Sequence, residues 1–304
     1  MAYLPSRWSN VATTNGLRVV ILSNVPEVAD VLTTTVTRLG HDPAAVVAAR
    51  RRKPTPGLNS IDASTELKGT KVVIVPEKAA VEPTLRSLKP DVLMSWSFPW
   101  LVTGGALALP TLGAINFHPS LLPRHRGPNP VAWTIRMGDS DYGITWHRMS
   151  PEYDCGPILA QRSTPVLDED TVSDVQPRLT TLGLRMLRGV FVRLIEGDPG
   201  DPQPMEGATL AEPFGEDYAT IDWSRSAREI HDQVRAWSFT AGTHSVIGPM
   251  AELDGHAVRI TRTTLREPEV GGCRINCGDG PLWILEYETL NGAACGSTVG
   301  FTMP

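Results

Sequence analysis

Short apolar runs, separated by charged or turn-forming segments, set the rhythm of the first two hundred residues. Leu17-Arg-Val-Val-Ile-Leu22, Ala45-Val-Val-Ala48, Lys71-Val-Val-Ile-Val75, Asp91-Val-Leu-Met-Ser95 and Ala114-Ile-Asn-Phe117 each have the length and apolar content of a buried strand. A helical stretch runs from Pro26 to about Leu39, and Pro83 to Leu88 reads as a short helix. Strands alternating with helices predict an α/β, doubly wound, mostly parallel sheet covered on both faces. Pro128 to Met137 reads as a helix opened by proline after Gly127. Gly143–Met149 and Gly156–Gln161 read as strands, with Asp154 in the loop between them. From Thr171 to Ile195, Val175, Leu179, Leu182, Met186, Val190 and Leu194 recur at helical spacing and predict one long packed helix.

A change of texture follows. Gly197-Asp-Pro-Gly-Asp-Pro-Gln-Pro204 is rich in turn formers, and beyond it Ser226–Ala236 reads as a helix. Three short runs come next, at His256–Ile260, Gly272–Asn276 and Leu282–Tyr287, and their spacing predicts a small β-barrel. The expected organisation is a flexible extension over 1–16, a first domain over 17–196, a linker over 197–211 and a smaller C-terminal domain over 212–304.

Composition narrows the class. The 304 residues suffice for two domains, and 41% hydrophobic with 20% charged residues describes a globular protein. No apolar run approaches the roughly 20 residues of a membrane helix. Met1 to Gly16 lacks the apolar core of a signal peptide, so the cytoplasm is the expected location. The four cysteines form no C-x-x-C pair; Cys273 and Cys277 could touch across a turn, but no nearby histidine supplies the two further ligands a zinc site needs. The net charge of −5 hides an asymmetry. From Glu206 onward seven Lys/Arg face fourteen Asp/Glu, against twenty-one and nineteen before it. An acidic second domain is a poor surface for a polyanion.

The candidate chemistry sits at the end of one strand. The strand ends carry no G-x-G-x-x-G; the first is followed by Ser23-Asn-Val-Pro26, which leaves a nicotinamide-type dinucleotide fold unsupported. Parallel sheets bind ligands beyond the carboxyl ends of their strands, which puts Phe98-Pro-Trp-Leu101 and His118-Pro-Ser-Leu121 on one rim. Residues two apart on a strand share a face, so Asn116 and His118 project together. Asn116 is a neutral donor suited to a developing oxyanion, and His118, with an ordinary pKa near ~6.5, moves protons at neutral pH. Asp154, in a loop shaped by Gly156 and Pro157, supplies the carboxylate. This set suits a tetrahedral intermediate of acyl transfer. No serine or cysteine is paired with a base, so no covalent intermediate is required.

Taken as a block, Asn116-x-His118-Pro-Ser-Leu-Leu-Pro123, Arg126-Gly127, Trp133, Gly138-Asp139, Gly143-Ile-Thr145 and Asp154-x-Gly156-x-Ile158-Leu159 resemble the folate-dependent formyltransferases, the methionyl-tRNA formyltransferase-like subgroup in particular. Ile221-Asp-Trp223, Ala227, Ile230 and Val234-Arg-Ala236 are similar to the start of that subgroup's OB-like C-terminal domain. The resemblance implies that Asn116, His118 and Asp154 are catalytic and that N10-formyltetrahydrofolate is the formyl donor. It implies folate-lining positions at Phe98, Trp100, Leu101 and Val102 and at Ser120, Leu121, Leu122 and Pro123. Arg124, Arg126 and Asn129 lie close enough in sequence to contact an anionic acceptor.

Two departures bear on that acceptor. The basic Arg50-Arg-Arg-Lys53 run is short and followed by Pro54-Thr-Pro-Gly57, and Gly127-Pro-Asn-Pro130 replaces the subgroup's Gly-Ala-Ala-Pro. With the acidic second domain, these favour a small-molecule amine (an amino-acid derivative, a hydroxylamine or an amino-sugar) over transfer RNA. Formylation of methionyl-tRNA is the alternative, followed by hydrolysis of the formyl donor and by folate binding without turnover. Nothing in the sequence singles out a self-association surface.

Overall fold

Val19, Val20, Ile21 and Leu22 are wholly buried, and they place the first strand at the centre of a parallel sheet. In this computed structural model the described residues are 16–50, 60–62, 64–67, 69–237 and 248–289. The expected extension, apart from Gly16, lies outside the described residues, as do Arg51–Lys53, Pro54–Gly57 and the end of the chain from residue 290.

The chain divides into two compact units, and the boundary falls inside one strand: residues 1–52, 59–116 and 194–197 form the first, and 53–58, 117–193 and 198–304 the second. The first unit alternates β1 (Arg18–Leu22), α1 (Pro26–Arg38), β2 (Asp42–Ala49), β3 (Val72–Val75), α2 (Val81–Leu88), β4 (Val92–Ser95), α3 (Gly104–Leu107) and β5 (Gly113–His118). Its strands lie in the order β3-β2-β1-β4-β5, all parallel. The chain moves outward from β1 to β3 and then returns to β4 on the other side, which makes the carboxyl ends of β1 and β4 the topological switch point of the sheet. Asn24, just past β1, is buried and structural: its amide donates to the Ala49 carbonyl at 2.7 Å and accepts from the Ala49 N–H at 2.9 Å. In α1, the buried Ala29, Leu32, Thr33 and Val36 form the helical stripe that sequence spacing predicts.

The second unit takes up the chain at Phe117. It contains α4 (Pro130–Arg136), β6 (Asp141–Arg148), β7 (Ile158–Pro165), α5 (Val172–Ile195, which ends in the first unit), α6 (Ala227–Ala236), β8 (Met250–Leu253), β9 (His256–Thr264), β10 (Cys273–Asn276) and β11 (Pro281–Thr289). β6 and β7 form an antiparallel hairpin. Helix α5 closes on β6 through Trp146, whose Nε1–H donates to the Gly183 carbonyl at 2.9 Å. Phe117 is buried beside Trp146 at 5.3 Å between centroids. A β-carbon at Gly183 would lie 2.2 Å from the Phe117 ring, so only glycine permits this approach.

The C-terminal part is the antiparallel sheet β10-β11-β9-β8, covered by α6. Ile230 and Val234 of α6 pack with Val258, Ile260, Leu282 and Ile284. Ser226 and Glu229 start the helix with a reciprocal capping box. The fold is thus the predicted one, a mostly parallel α/β sheet followed by a smaller β domain. Among the described residues, no helix is long and apolar enough to cross a membrane.

Candidate active site

Strand β5 delivers Asn116 and His118 one pleat apart on one face. His118 is 4% exposed. Its Nε2 lies 2.8 Å from the His125 carbonyl oxygen, which can only accept, so that nitrogen carries a hydrogen. The other nitrogen, Nδ1, faces Oδ2 of Asp154 at 3.5 Å.

Asp154 reaches His118 because the loop between β6 and β7 turns sharply. The residue has φ of 53°, in the left-handed region that non-glycine residues seldom occupy. Two residues on, a β-carbon at Gly156 would fall 1.8 Å from the Arg148 carbonyl oxygen, so the loop can close onto β6 only with glycine there. The Gly127 N–H donates to Asp154 Oδ2 at 2.9 Å.

A second imidazole completes the cluster. His147, on β6 and buried, donates from Nδ1 to the Arg148 carbonyl at 2.8 Å. Its Nε2 faces the other carboxylate oxygen, Oδ1, at 3.5 Å. Each oxygen of this buried carboxylate therefore faces an imidazole, the two rings meeting edge to face at 6.3 Å, each with its far nitrogen committed to a backbone carbonyl.

The electrostatics follow from this geometry. Burial works against ionisation of Asp154, but the His118 charge, the hydrogen bond from His147 and the Gly127 N–H outweigh it. The carboxyl is held well below the usual carboxylate range. Burial is the largest influence on His118 and lowers its pKa; Asp154 and the His125 carbonyl oppose this without cancelling it. The resting state is thus a neutral His118 beside an ionised Asp154. A proton arriving at Nδ1 would be shared with Oδ2, which suits the pair to receive one from an attacking amine.

The other expected residues divide by what their polar groups already do. In the first unit Phe98, Trp100 and Leu101 are half-buried in the loop after β4, and Val102 is buried. Phe98 and Trp100 meet edge to face at 5.7 Å. In the second unit Ser120 is fully buried, and its hydroxyl donates to the Arg124 carbonyl at 2.7 Å. Leu122 is buried and Leu121 and Pro123 half-buried, while Gln161 Nε2 donates to the Leu122 carbonyl at 3.0 Å. The 120–123 turn is therefore fastened to the β6–β7 hairpin.

Arg124 is ion-paired with Asp139 at 2.6 Å. Asn129 is buried at the N-cap of α4, with its backbone N–H on the Ala211 carbonyl at 3.0 Å. Arg126 is 8% exposed and donates from Nε and Nη2 to Gln203 Oε1 at 3.1 and 2.7 Å. It has no carboxylate partner among the described residues.

Two residues at this site, His147 and Gln203, carry no signal of their own in the sequence. His147 sits mid-strand, and the even-odd alternation of β6 gives only its face. Gln203 lies in the turn-rich stretch after α5, where nothing local marks a contact with Asp154.

Comparison with known proteins gives this site its setting. The family described as Formyl transferase matches residues 11–190, and Formyl transferase, C-terminal domain, matches 216–299. The chain is 30% identical over 284 residues to the methionyl-tRNA formyltransferase of Marinobacter nauticus, covering 88% of this chain and 91% of that one. It is 32% identical over 222 residues to the methionyl-tRNA formyltransferase of Pelobacter propionicus, covering 69% and 67%.

Among solved structures, an N-formyltransferase from Helicobacter canadensis in complex with folinic acid and dTDP-3-aminofucose aligns with a TM-score of 0.61 at 17% identity, over 88% of this chain and 98% of that one. HypX from Aquifex aeolicus in complex with tetrahydrofolic acid aligns with a TM-score of 0.65 at 18% identity, over 90% of this chain but only 44% of that one. At these identities the structural likeness is one of fold, whereas the family matches span both parts of the chain. The protein belongs to the formyl transferase family and is a formyl-transferring enzyme.

Proposed function

We propose that the enzyme transfers the formyl group of N10-formyltetrahydrofolate to the amine of a small molecule, with Asn116, His118 and Asp154 as its catalytic residues. The observation that carries this reading is the buried His118–Asp154 pair at the end of the strand that presents Asn116. The neutral amine attacks the formyl carbon. The Asn116 amide donates to the oxyanion, a contact worth on the order of 3–4 kcal/mol of barrier. The amine proton passes to His118, where Asp154 stabilises it, and then to N10 of the departing tetrahydrofolate. One C–N bond forms, one breaks, and the proton balances. The loop from Phe98 to Val102 and the turn from Ser120 to Pro123 are assigned to the folate.

Charge supports a small acceptor. From Glu206 onward acidic residues outnumber basic ones two to one, fourteen against seven, which opposes docking of a polyanion. Arg126, a buried cation without an acidic partner among the described residues, favours an acceptor that carries its own anionic group near the amine. The second reading is formylation of methionyl-tRNA, favoured by identity of 30–32% to methionyl-tRNA formyltransferases along most of the chain.

The test is to incubate the enzyme and N10-formyltetrahydrofolate with charged initiator tRNA or with a panel of amino acids, hydroxylamines and nucleotide amino-sugars, following tetrahydrofolate release and product mass. A small amine turned over at least tenfold faster than tRNA supports the reading; the reverse order establishes the second. Tetrahydrofolate release without an amine would point to hydrolysis. Full turnover by Asn116→Ala or His118→Ala would overturn the site.

A further inference from the structure

We propose that Gln203 is a positioning residue that holds Asp154 against His118 from a segment remote in sequence; this rests on the reading of Asp154 as catalytic. All the hydrogen-bonding capacity of the Gln203 amide is used. Its Nε2 donates to the Asp154 carbonyl at 2.8 Å and to the Gly156 carbonyl at 2.7 Å. Its Oε1 accepts from Arg126 Nε at 3.1 Å and Nη2 at 2.7 Å. The amide orientation is fixed by these partners. Flipped, it would set oxygen against two carbonyls and NH2 against a guanidinium.

The partners belong to the two loops that build the site. Asp154 and Gly156 lie in the β6–β7 loop. Arg126 lies between His125, whose carbonyl accepts from His118, and Gly127, whose N–H donates to Asp154. Gln203 thus bridges the loop that carries the carboxylate and the loop that binds both His118 and that carboxylate. The left-handed backbone of Asp154, a conformation that costs a non-glycine residue about 1–3 kcal/mol, is held between these two loops.

The segment bearing Gln203 is fastened on either side. Asp201 and Ile158 exchange backbone hydrogen bonds, each of 2.8 Å. Further on, the Thr209 N–H donates to the Pro123 carbonyl at 3.3 Å, and the Arg126 N–H donates to the Thr209 carbonyl at 2.9 Å. The Ala211 N–H donates to the Arg126 carbonyl at 2.6 Å. A group held at both ends of its segment can fix a neighbouring loop to the fraction of an ångström that proton transfer requires.

Two substitutions separate positioning from bulk stability. Gln203→Glu keeps an acceptor for Arg126 and gains a charge beside it, but has no hydrogens for the Asp154 and Gly156 carbonyls. Gln203→Ala loses both halves. The readouts are the pH titration of His118 by NMR on imidazole-15N-labelled protein, thermal midpoint, and kcat and KM with N10-formyltetrahydrofolate and the best acceptor of the panel above.

Because Asp154 raises the pKa of His118, its displacement lowers the His118 midpoint. Gln203→Glu is expected to move that midpoint most of the way to the value in Asp154→Asn. It should also lower kcat by about 10–100-fold with little change in KM, and should cost little further rate when combined with Asp154→Asn. An unmoved His118 midpoint in folded Gln203→Glu protein, or a kcat within about twofold of wild type, would overturn the proposal. If Asp154→Asn itself turns over normally, the catalytic reading fails and the positioning role fails with it. A slow Asp154→Asn beside a normal Gln203→Glu sinks the positioning role alone.

Discussion

His147 and Asp154 face each other across 3.5 Å, imidazole Nε2 to carboxylate Oδ1, while His118 Nδ1 faces the other oxygen, Oδ2, at the same distance. The carboxylate therefore has an imidazole on each oxygen, and removing one changes the proton affinity of what remains. His147 lowers the pKa of both Asp154 and His118. In His147→Leu both pKa values rise. If turnover uses the unprotonated pair as proposed, the acid limb of the kcat–pH profile is expected to move to higher pH. A profile that stays in place or moves to lower pH would contradict this role.

Asp154 also links the site to stability. Its carboxyl is held below the ordinary range in the folded protein, so its stabilising contribution is complete above the unfolded pKa, near ~4, and is lost as pH falls below that value. The thermal midpoint of the wild-type protein should therefore drop more steeply between about pH 5 and pH 2 than that of Asp154→Asn. Parallel curves for the two proteins would show that the carboxylate gains nothing from its neighbours.

Arg126 gives a prediction about selectivity. Arg126→Gln should raise KM for acceptors with a carboxylate or phosphate near the amine by about 10-fold or more, the usual scale of a charge-assisted hydrogen bond. Matched acceptors without that group should show little change. Equal effects on both would place Arg126 outside acceptor recognition.

Gly156→Ala should cost about 1–3 kcal/mol of stability, the scale of overpacking, because its β-carbon meets the Arg148 carbonyl. It should also slow turnover, since relieving the clash moves the loop that carries Asp154. Calorimetry and single-turnover kinetics on the same preparation check both effects; a faster variant with unchanged melting would refute the close approach.

The parts of the fold legible in the sequence are those where one face or one run is wholly apolar. Val19–Leu22 and Val92–Met94 are buried throughout, and both announce themselves as strands. β8 escaped because Met250-Ala-Glu-Leu253 has no β-branched residue and holds a charge. The four-residue helix α3 escaped because two of its residues are glycine. Strand β7 begins at Ile158 rather than Gly156, because the first residues of that run belong to the Asp154 loop.

At the site, Asn116 and His118 were legible as a pair because strand geometry alone joins them. The sequence offered Asp154 in a loop shaped by Gly156 and Pro157, but not the left-handed turn or the approach of Gly156 to the Arg148 carbonyl that bring it to His118. His147 and Gln203 were not legible at all, since ordinary residue types acquire their roles only when strand pairing and a returning segment bring them to the carboxylate.

The stretch from Asp201 to Ala211 has a practical consequence for recombining such enzymes. Its proline and glycine content makes it look like a natural splice point between modules. Yet its backbone is laced to residues 123–129 and to Ile158, and Gln203 reaches the carboxylate loop. A chimera joined at residue 197 would exchange the segment that holds the Asp154 loop along with the C-terminal module, whereas a junction after Ala211 would leave it native. Hybrids built at these two junctions from the same parents should differ in turnover even when both fold and melt alike.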